Sequence, residues 1–405
     1  MQGISPEMKI TDILEKYPGA LEVFTANGFP ATGKADLLRQ VGPLLTLKTA
    51  LKLKGLNPEV FLGLLAEKLT ESQLLPAPDD EPPAQRLNFL GYTYCPLKLT
   101  FKECFEELCQ KYHREHQDKE FHSFVPSGCG EEEDPYRENI WRVPDIADFP
   151  DITVSAGFGD FFRQEFVDRF VKRGYFKSRR GPMHAAFASA DYEDPAGWYT
   201  MYAALPSVIL VDRKKLGGLP VPGRWSDLLD PVYKNNIIIG ASHGDFHEDF
   251  LLYIHKEHGD EGLRKLAANV RQGMHGAEMS KFAGTAGAQG AAIYVIAWLF
   301  AKACPRTEST TIVWPADGAL ITPMFLLVKE SVRTDLQPFL DFVTGAEYGQ
   351  KSADNYFPVL HPRVDNKLPA GAGFKWLGWD YIRSHSLDAL KEHVISTFKE
   401  ALGQR

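Results

Sequence analysis

Apolar residues recur at helical spacing from the tenth residue onward. Ile10, Ile13, Leu14 and Tyr17 form one stripe, with Thr11 placed to cap it. Leu21, Val23 and Phe24 form a second patch after Pro18, and Gly28 marks its stop. Leu37, Leu38, Val41 and Leu44 predict a further helix, and Thr46 to Leu53 another. Asn57 and Pro58 make a capped restart carrying Val60, Phe61, Leu64, Leu65 and Leu69. Short helices of this kind are stable only when their apolar faces are buried together, so residues 1–73 are expected to form a small helical domain. In LLPAPDDEPPAQ, proline removes donors and the acids resist burial, which makes 74–86 a linker.

The pattern then changes. Leu87 to Tyr92 reads as a strand, followed by a turn through Thr93, Tyr94, Cys95 and Pro96 and a helix from about Thr100 to His113. Phe121 to Val125 is a second strand, and Ile152 to Val154 a third, ending in Ser155, Ala156 and Gly157 ahead of the helical run FFRQEFVDRFVKRG. A second series begins at LPSVILVD, passes a helix entry at Trp225 and Ser226, and reaches the strand Ile237 to Ile239. ASHGDFHEDFLLYIHKEHG then reads as a polar loop entering a helix. Ala291 to Phe300 is an apolar, helix-like run with Tyr294 packed inside it, and two later apolar runs flank Pro315, Asp317 and Gly318. Repeated strand, loop and helix units predict an α/β fold with a mostly parallel, helix-covered sheet. Two lobes are expected within 87–405, one spanning about 87–199 and 319–405 and the other about 200–318. A ligand would sit in the cleft at their strand ends.

Composition narrows the functional classes. The 405 residues are 44% hydrophobic and 24% charged, ordinary for a globular chain. A net charge of -8 gives no general attraction for nucleic acid, and Lys177, Arg179 and Arg180 read as a short basic surface turn. Ala291 to Ala301 is too short to span a bilayer, so the chain is not expected to be membrane-embedded. Neither GxGxxG nor GxxxxGKS/T occurs where a phosphate would need it. The start, MQGISPEMKITDILEK, lacks the basic and apolar regions of a secretory signal. Cytoplasmic residence is expected, with a periplasmic or extracellular home the alternative if an export leader has been removed. Five cysteines, an odd number, fit a reduced compartment.

The passages LPSVILVDRKKLGG, VPGRWSDLLDPVYKNNIIIG, EGLRKLAANV, VWPADGALITPMFLLVKESV and LQPFLDFVTGAEYGQ occur in order. Together they resemble the extracellular type 2 solute-binding proteins of ABC uptake systems, especially the iron, thiamine and oxyanion branch. The resemblance covers about three quarters of the chain. It implies a two-lobed type 2 periplasmic-binding-protein-like fold and a permease partner, a contact the missing leader leaves unassigned. MKITDILEKYPGALEVFTANGF separately resembles a small bacterial helical domain of unknown function, DUF1858-like. Its members often carry a cysteine pair where this chain has FPATGK, so a helical docking role towards a protein partner is expected rather than redox or metal chemistry.

Candidate ligand contacts are the polar groups at strand ends, where helix N-termini favour anions. Thr93, Tyr94, Cys95, Ser155 and the backbone at Gly157 belong to the first series. Ser242, Asp245 and His247 belong to the second, with capping of the next helix as the structural alternative. Ser280 and Lys281 resemble a second-lobe contact loop, and Asp317 a tight crossing able to orient a ligand. His243, His247 and Glu248 are the metal-ligand candidates, although their spacing is not that of a zinc site. Cys95 and Cys129 could pair as thiolates on a soft metal, or be inert thiols. Iron-binding members of the resembled family commonly use paired tyrosines, whereas this chain offers the separated Tyr348 and Tyr356.

These residues point to non-catalytic capture of a small polar or anionic solute, with no cofactor. Metal-ion binding in the same cleft is one alternative, and a cleft enzyme of unknown reaction another. Neither Ser155 nor Cys95 has a visible catalytic partner in the sequence.

Overall fold

A computed structural model describes residues 4–17, 20–27, 29, 34, 37–38, 45–54, 56, 58, 61–62, 65, 86–126, 134–136, 139–242 and 245–403. The 74–86 linker, apart from Arg86, and the cysteine and histidine at 129 and 243 lie outside them. The chain divides into two compact units, 1–155 with 331–342, and 156–330 with 343–405.

In the first unit the N-terminal stripes do pack together. Helices α1 (Ile10–Lys16), α2 (Ala20–Ala26) and α3 (Leu47–Lys54) bury Ile10, Ile13, Leu14, Val23, Phe24 and Leu51 in one core. Phe24, Phe29 and Phe61 meet at its centre, with ring centroids 5.1 to 6.2 Å apart. The helix starts one residue before Thr11, so Lys9 holds the cap position without a side-chain bond. Thr46 does cap α3, accepting from the Thr49 amide at 3.4 Å.

The same unit continues with strand β1 (Phe89–Gly91), parallel to both β2 (Ser123–Phe124) and β3 (Ile152–Ala156). Helix α4 (Cys95–Glu115) makes the crossover from β1 to β2. It begins five residues earlier than its apolar pattern predicts, because Pro96 fits the first turn of a helix, where no N–H is needed. Phe89, Phe105, Phe121 and Phe339 form its apolar contact, the last two stacked at 4.4 Å.

The second unit is organised by two long antiparallel strands, β4 (Tyr199–Asp212) and β10 (Ala319–Val328), paired from Leu327↔Tyr199 to Leu320↔Ser207 with a one-residue register shift between Met324 and Phe325. Nearly every residue of both is buried, as expected of strands covered on both faces. The far half of β4 pairs with β8 (Ile293–Ala297) and β9 (Thr310–Val313). Pro206 lies just before β8 joins at Ser207, where its missing N–H breaks no ladder on that side. Strand β8 runs parallel to β5 (Ile237–Ser242), and β5 parallel to β7 (Val270–Met274). Tyr294 is therefore on a strand, not a helix, because short apolar runs do not distinguish the two by periodicity. Its hydroxyl accepts from the Ala291 amide at 3.1 Å.

Strand β6 (Asp245–Phe246) folds back on β5 as a hairpin and leads into α5 (Glu248–Asn269). That helix is kinked at Gly259, whose φ of 60° and ψ of -162° suit glycine alone. Further along are α6 (Gly276–Phe282), α7 (Trp298–Lys302), α8 (Trp379–Ser384) and α9 (Leu387–Gly403). Helix α9 packs along α5.

Candidate functional site

In the first unit, Thr93 and Ser155 are buried at the ends of β1 and β3, and Tyr94 is the cap residue of α4. Cys95 is disulfide-bonded, which removes it as a thiolate ligand, while Cys104, Cys109 and Cys304 are free. Both readings of Cys95, a thiolate on a soft metal and an inert free thiol, are thereby corrected, because its sulfur is already bonded.

In the second unit, the Gly157 amide donates to the Pro323 carbonyl at 2.8 Å, so it is engaged in the fold. Ser242 and His247 face each other across the β5–β6 hairpin, with Oγ and Nε2 3.2 Å apart. The His247 ring lies so close to Gly240 that an added Cβ there would come within 2.7 Å of Nδ1. Desolvation lowers the His247 pKa, with neighbouring Glu248 opposing. Neither Ser242 nor Asp245 caps the helix: both are in the hairpin, and Asp245 bonds Lys399. Glu248 pairs with Lys391 at 2.6 Å.

Ser280 and Lys281 are on α6 rather than in a contact loop. The Ser280 hydroxyl is directed to the Gly276 and Phe300 carbonyls and is buried. Asp317 accepts from Lys375 Nζ at 2.8 Å and from the Trp225 amide at 3.4 Å, holding the turn before β10. Tyr348 is buried, and Tyr356 packs on Trp298 at 5.0 Å, so the two tyrosines serve different surroundings.

The tightest gathering of metal-type donors among the described residues is elsewhere, where α5 meets α9. His255, Asp260 and His393 each offer one donor atom, all within 4.8 Å of one another. His393 Nε2 is 2.8 Å and His255 Nε2 3.5 Å from the same oxygen, Asp260 Oδ1. Arg264 approaches the other oxygen at 4.0 Å, leaving Oδ1 to the histidines. The Gly259 kink starts a new helical segment at Asp260, bringing its carboxylate to the His255 ring one turn earlier. His255 Nδ1 is 2.8 Å from Tyr381 Oη on α8. With Nδ1–H donating to that oxygen, the Nε2 lone pair faces Asp260, the outer partner that a ligating histidine needs. Desolvation lowers the His255 pKa and the His393 hydrogen bond lowers that of Asp260, which favours a neutral His255 and an ionised Asp260; a metal ion would replace the proton that His393 Nε2 donates.

Metal bonds of about 2.1 Å place donor atoms about 3.4 Å apart in a tetrahedron, so adjustment of this set by about 1 Å would close it around an ion. Two imidazoles and a carboxylate suit zinc, iron(II), cobalt or nickel, and leave positions open for water or a chelating group. Sequence reading missed this set because 133 residues separate Asp260 from His393. The only local signal is HKEHGD, a glycine interrupting a helical pattern beside histidines.

Residues 147–385, more than half of the sequence, match the family described as bacterial extracellular solute-binding protein. The chain belongs to that family. It is therefore a solute-binding protein and not an enzyme, with the two-lobed type 2 α/β fold and a separate N-terminal helical domain. Residues 4–62 match a domain of unknown function, DUF1858.

Among solved structures, this solute-binding protein is similar to an ABC transporter protein from Clostridium perfringens at 15% identity and a TM-score of 0.55, covering 78% of this chain and 100% of that one. A Trichodesmium protein in complex with iron and citrate matches at 12% identity and a TM-score of 0.53, covering 78% and 99%. Apo ferric ion-binding protein A of Pasteurella haemolytica matches at 13% identity and 0.51, covering 78% and 98%. No curated protein sequence matches the chain.

The family corrects the expectation of cytoplasmic residence, since its members are extracellular. The bonded Cys95 agrees with an oxidising compartment. An odd cysteine total was a poor guide because it does not forbid one bridge beside three free thiols. Among the described residues, no helix is long and apolar enough to cross a membrane.

Proposed function

We propose that the captured solute is a divalent first-row transition-metal ion, held by His255 Nε2, His393 Nε2 and the Asp260 carboxylate. The observation that carries this reading is the convergence of those donors within 4.8 Å, with Tyr381 bonded to the far nitrogen of His255. Two similar structures, one a ferric ion-binding protein and one in complex with iron and citrate, lend support. The nitrogen-rich donor set here favours a softer divalent ion over ferric iron.

The test is titration of the full, chelator-treated chain with Co(II), read by visible absorption, and with Zn(II) by calorimetry. One site is expected. Tyr381→Phe should weaken it by about 10- to 100-fold, the usual effect of removing an outer partner, and the His255→Ala/His393→Ala pair should abolish it. A folded double variant that binds as the parent does would overturn the proposal.

The facing Ser242 and His247 support a second reading, a polar organic solute held at the strand ends. Ser242→Ala/His247→Ala should then weaken an organic ligand co-purifying with the protein and leave Co(II) binding intact. Unchanged retention of that ligand would remove this reading.

A further inference from the structure

A cavity of about 410 Å³ in the second unit shares no residue with the metal-type set, and its floor is the start of β4, from Tyr199 to Tyr202. Two chain segments are fastened along that floor. In one, the Ser178 amide donates to the Gly197 carbonyl at 2.7 Å and the Arg179 amide to Thr200 Oγ1 at 2.8 Å. In the other, the Leu360 amide donates to the Tyr202 carbonyl at 2.9 Å and the Leu360 carbonyl accepts from His184 at 2.7 Å. These bonds hold Arg179, Arg180, His361 and Arg363 around one opening.

The charges there do not balance. Among the described residues Glu193 is the sole carboxylate lining the cavity, and it is taken by Arg180 at 3.4 Å, whose guanidinium also donates to the Asp194 and Pro195 carbonyls. Among the described residues, the side chains of Arg179 and Arg363 have no ion-pair partner. His361 adds a donor of defined orientation: its Nδ1 accepts from the Arg363 amide at 3.3 Å, which leaves the proton on Nε2. Thr200 Oγ1, having accepted from Arg179, is left with its O–H to donate. A donor-rich cavity with two uncompensated guanidinium groups is unusual in a chain of net charge -8, and guanidinium matches the paired oxygens of phosphate and carboxylate.

We infer that this cavity is a second binding site, for a small anion presenting phosphate or carboxylate oxygens to Arg179 and Arg363. Its volume falls in the range of small-ligand clefts of about 300 to 1,000 Å³, so the occupant is a small molecule rather than a polymer. The backbone amides of Arg179 and Leu360 are bonded to β4 residues Thr200 and Tyr202, so the two segments that carry Arg179 and Arg363 are held beside the cavity.

The experiment is calorimetry on the full, metal-free chain with inorganic phosphate, glucose 6-phosphate and citrate, at an ionic strength held constant with sodium chloride. Binding of the phosphates assigns the site to phosphoryl groups, and binding of citrate alone assigns it to carboxylates. In either case a Kd of about 1 mM or tighter is expected. Arg179→Gln/Arg363→Gln should weaken binding by about tenfold or more, with Co(II) affinity unchanged. Both side chains are exposed, so the fold should persist, and Arg363→Gln alone gives an intermediate loss as a check. The inference fails if none of the three anions binds, or if the folded double variant binds them as the parent does.

Discussion

Asp249→Asn should change how stability depends on pH, because this carboxyl is held in conditions that disfavour its charge. Asp249 lies in the first turn of α5, partly buried, with Oδ2 accepting from Thr322 Oγ1 at 2.6 Å. Desolvation, then the adjacent Glu248 carboxylate, raises its pKa from 3.8 to about 6, and the Thr322 bond and Lys391 only partly oppose this. A folded-state pKa above the unfolded value means the native state holds the proton more tightly. The contribution is therefore complete below about pH 4 and is lost as pH rises through about 6. Two pKa units correspond to about 3 kcal/mol; residual solvent contact reduces the expected effect to about 1 to 3 kcal/mol. Asparagine keeps the shape and the acceptor for Thr322 without titrating. Urea unfolding of parent and variant at pH 4, 5, 6 and 7 is the assay, since titrations common to both cancel in the difference. The variant should gain stability relative to the parent between pH 4 and 7. Parallel profiles across that range would refute the reasoning.

Three further substitutions test other parts of the structure. Asp194→Ala removes a fully buried carboxylate that accepts from the Ala196, Trp198 and Tyr199 amides and pairs with Arg383, and should cost about 3 to 5 kcal/mol in chemical denaturation. Gly259→Ala places a Cβ where φ is 60° and ψ is -162°, so thermal unfolding should show a loss of about 1 to 3 kcal/mol, with weaker Co(II) binding as Asp260 shifts. Ser280→Ala should cost about 1 kcal/mol through its lost hydrogen bonds to helix and chain carbonyls and leave solute binding untouched, since the hydroxyl is directed inward. A binding defect in that variant would return Ser280 to the ligand contacts.

The sequence by itself determined the class of fold, because its main signals are local. The 3.6-residue spacing of Ile10, Ile13 and Leu14 is enough to specify a face, and the apolar runs of LPSVILVD and ALITPMFLLV are enough to specify strands buried on both sides. Where two structures share a local pattern, the sequence alone was insufficient. IYVIA became a strand beside β4 and β5, although its composition also suits a buried helix. Ser280 read as a loop contact because a hydroxyl in a polar stretch does not reveal that a helix turns it inward. Tertiary structure alone decided the chemistry of the sites. Asp260 meets His393 only because α9 packs along α5, and Arg179 and Arg363 line one cavity only because two remote segments bond to the same stretch of β4. Ligand sites demand a few atoms at fixed separation in space, and the chain is free to supply them from any distance in sequence. Periodicity records which face of an element is buried, but not which other element will cover it.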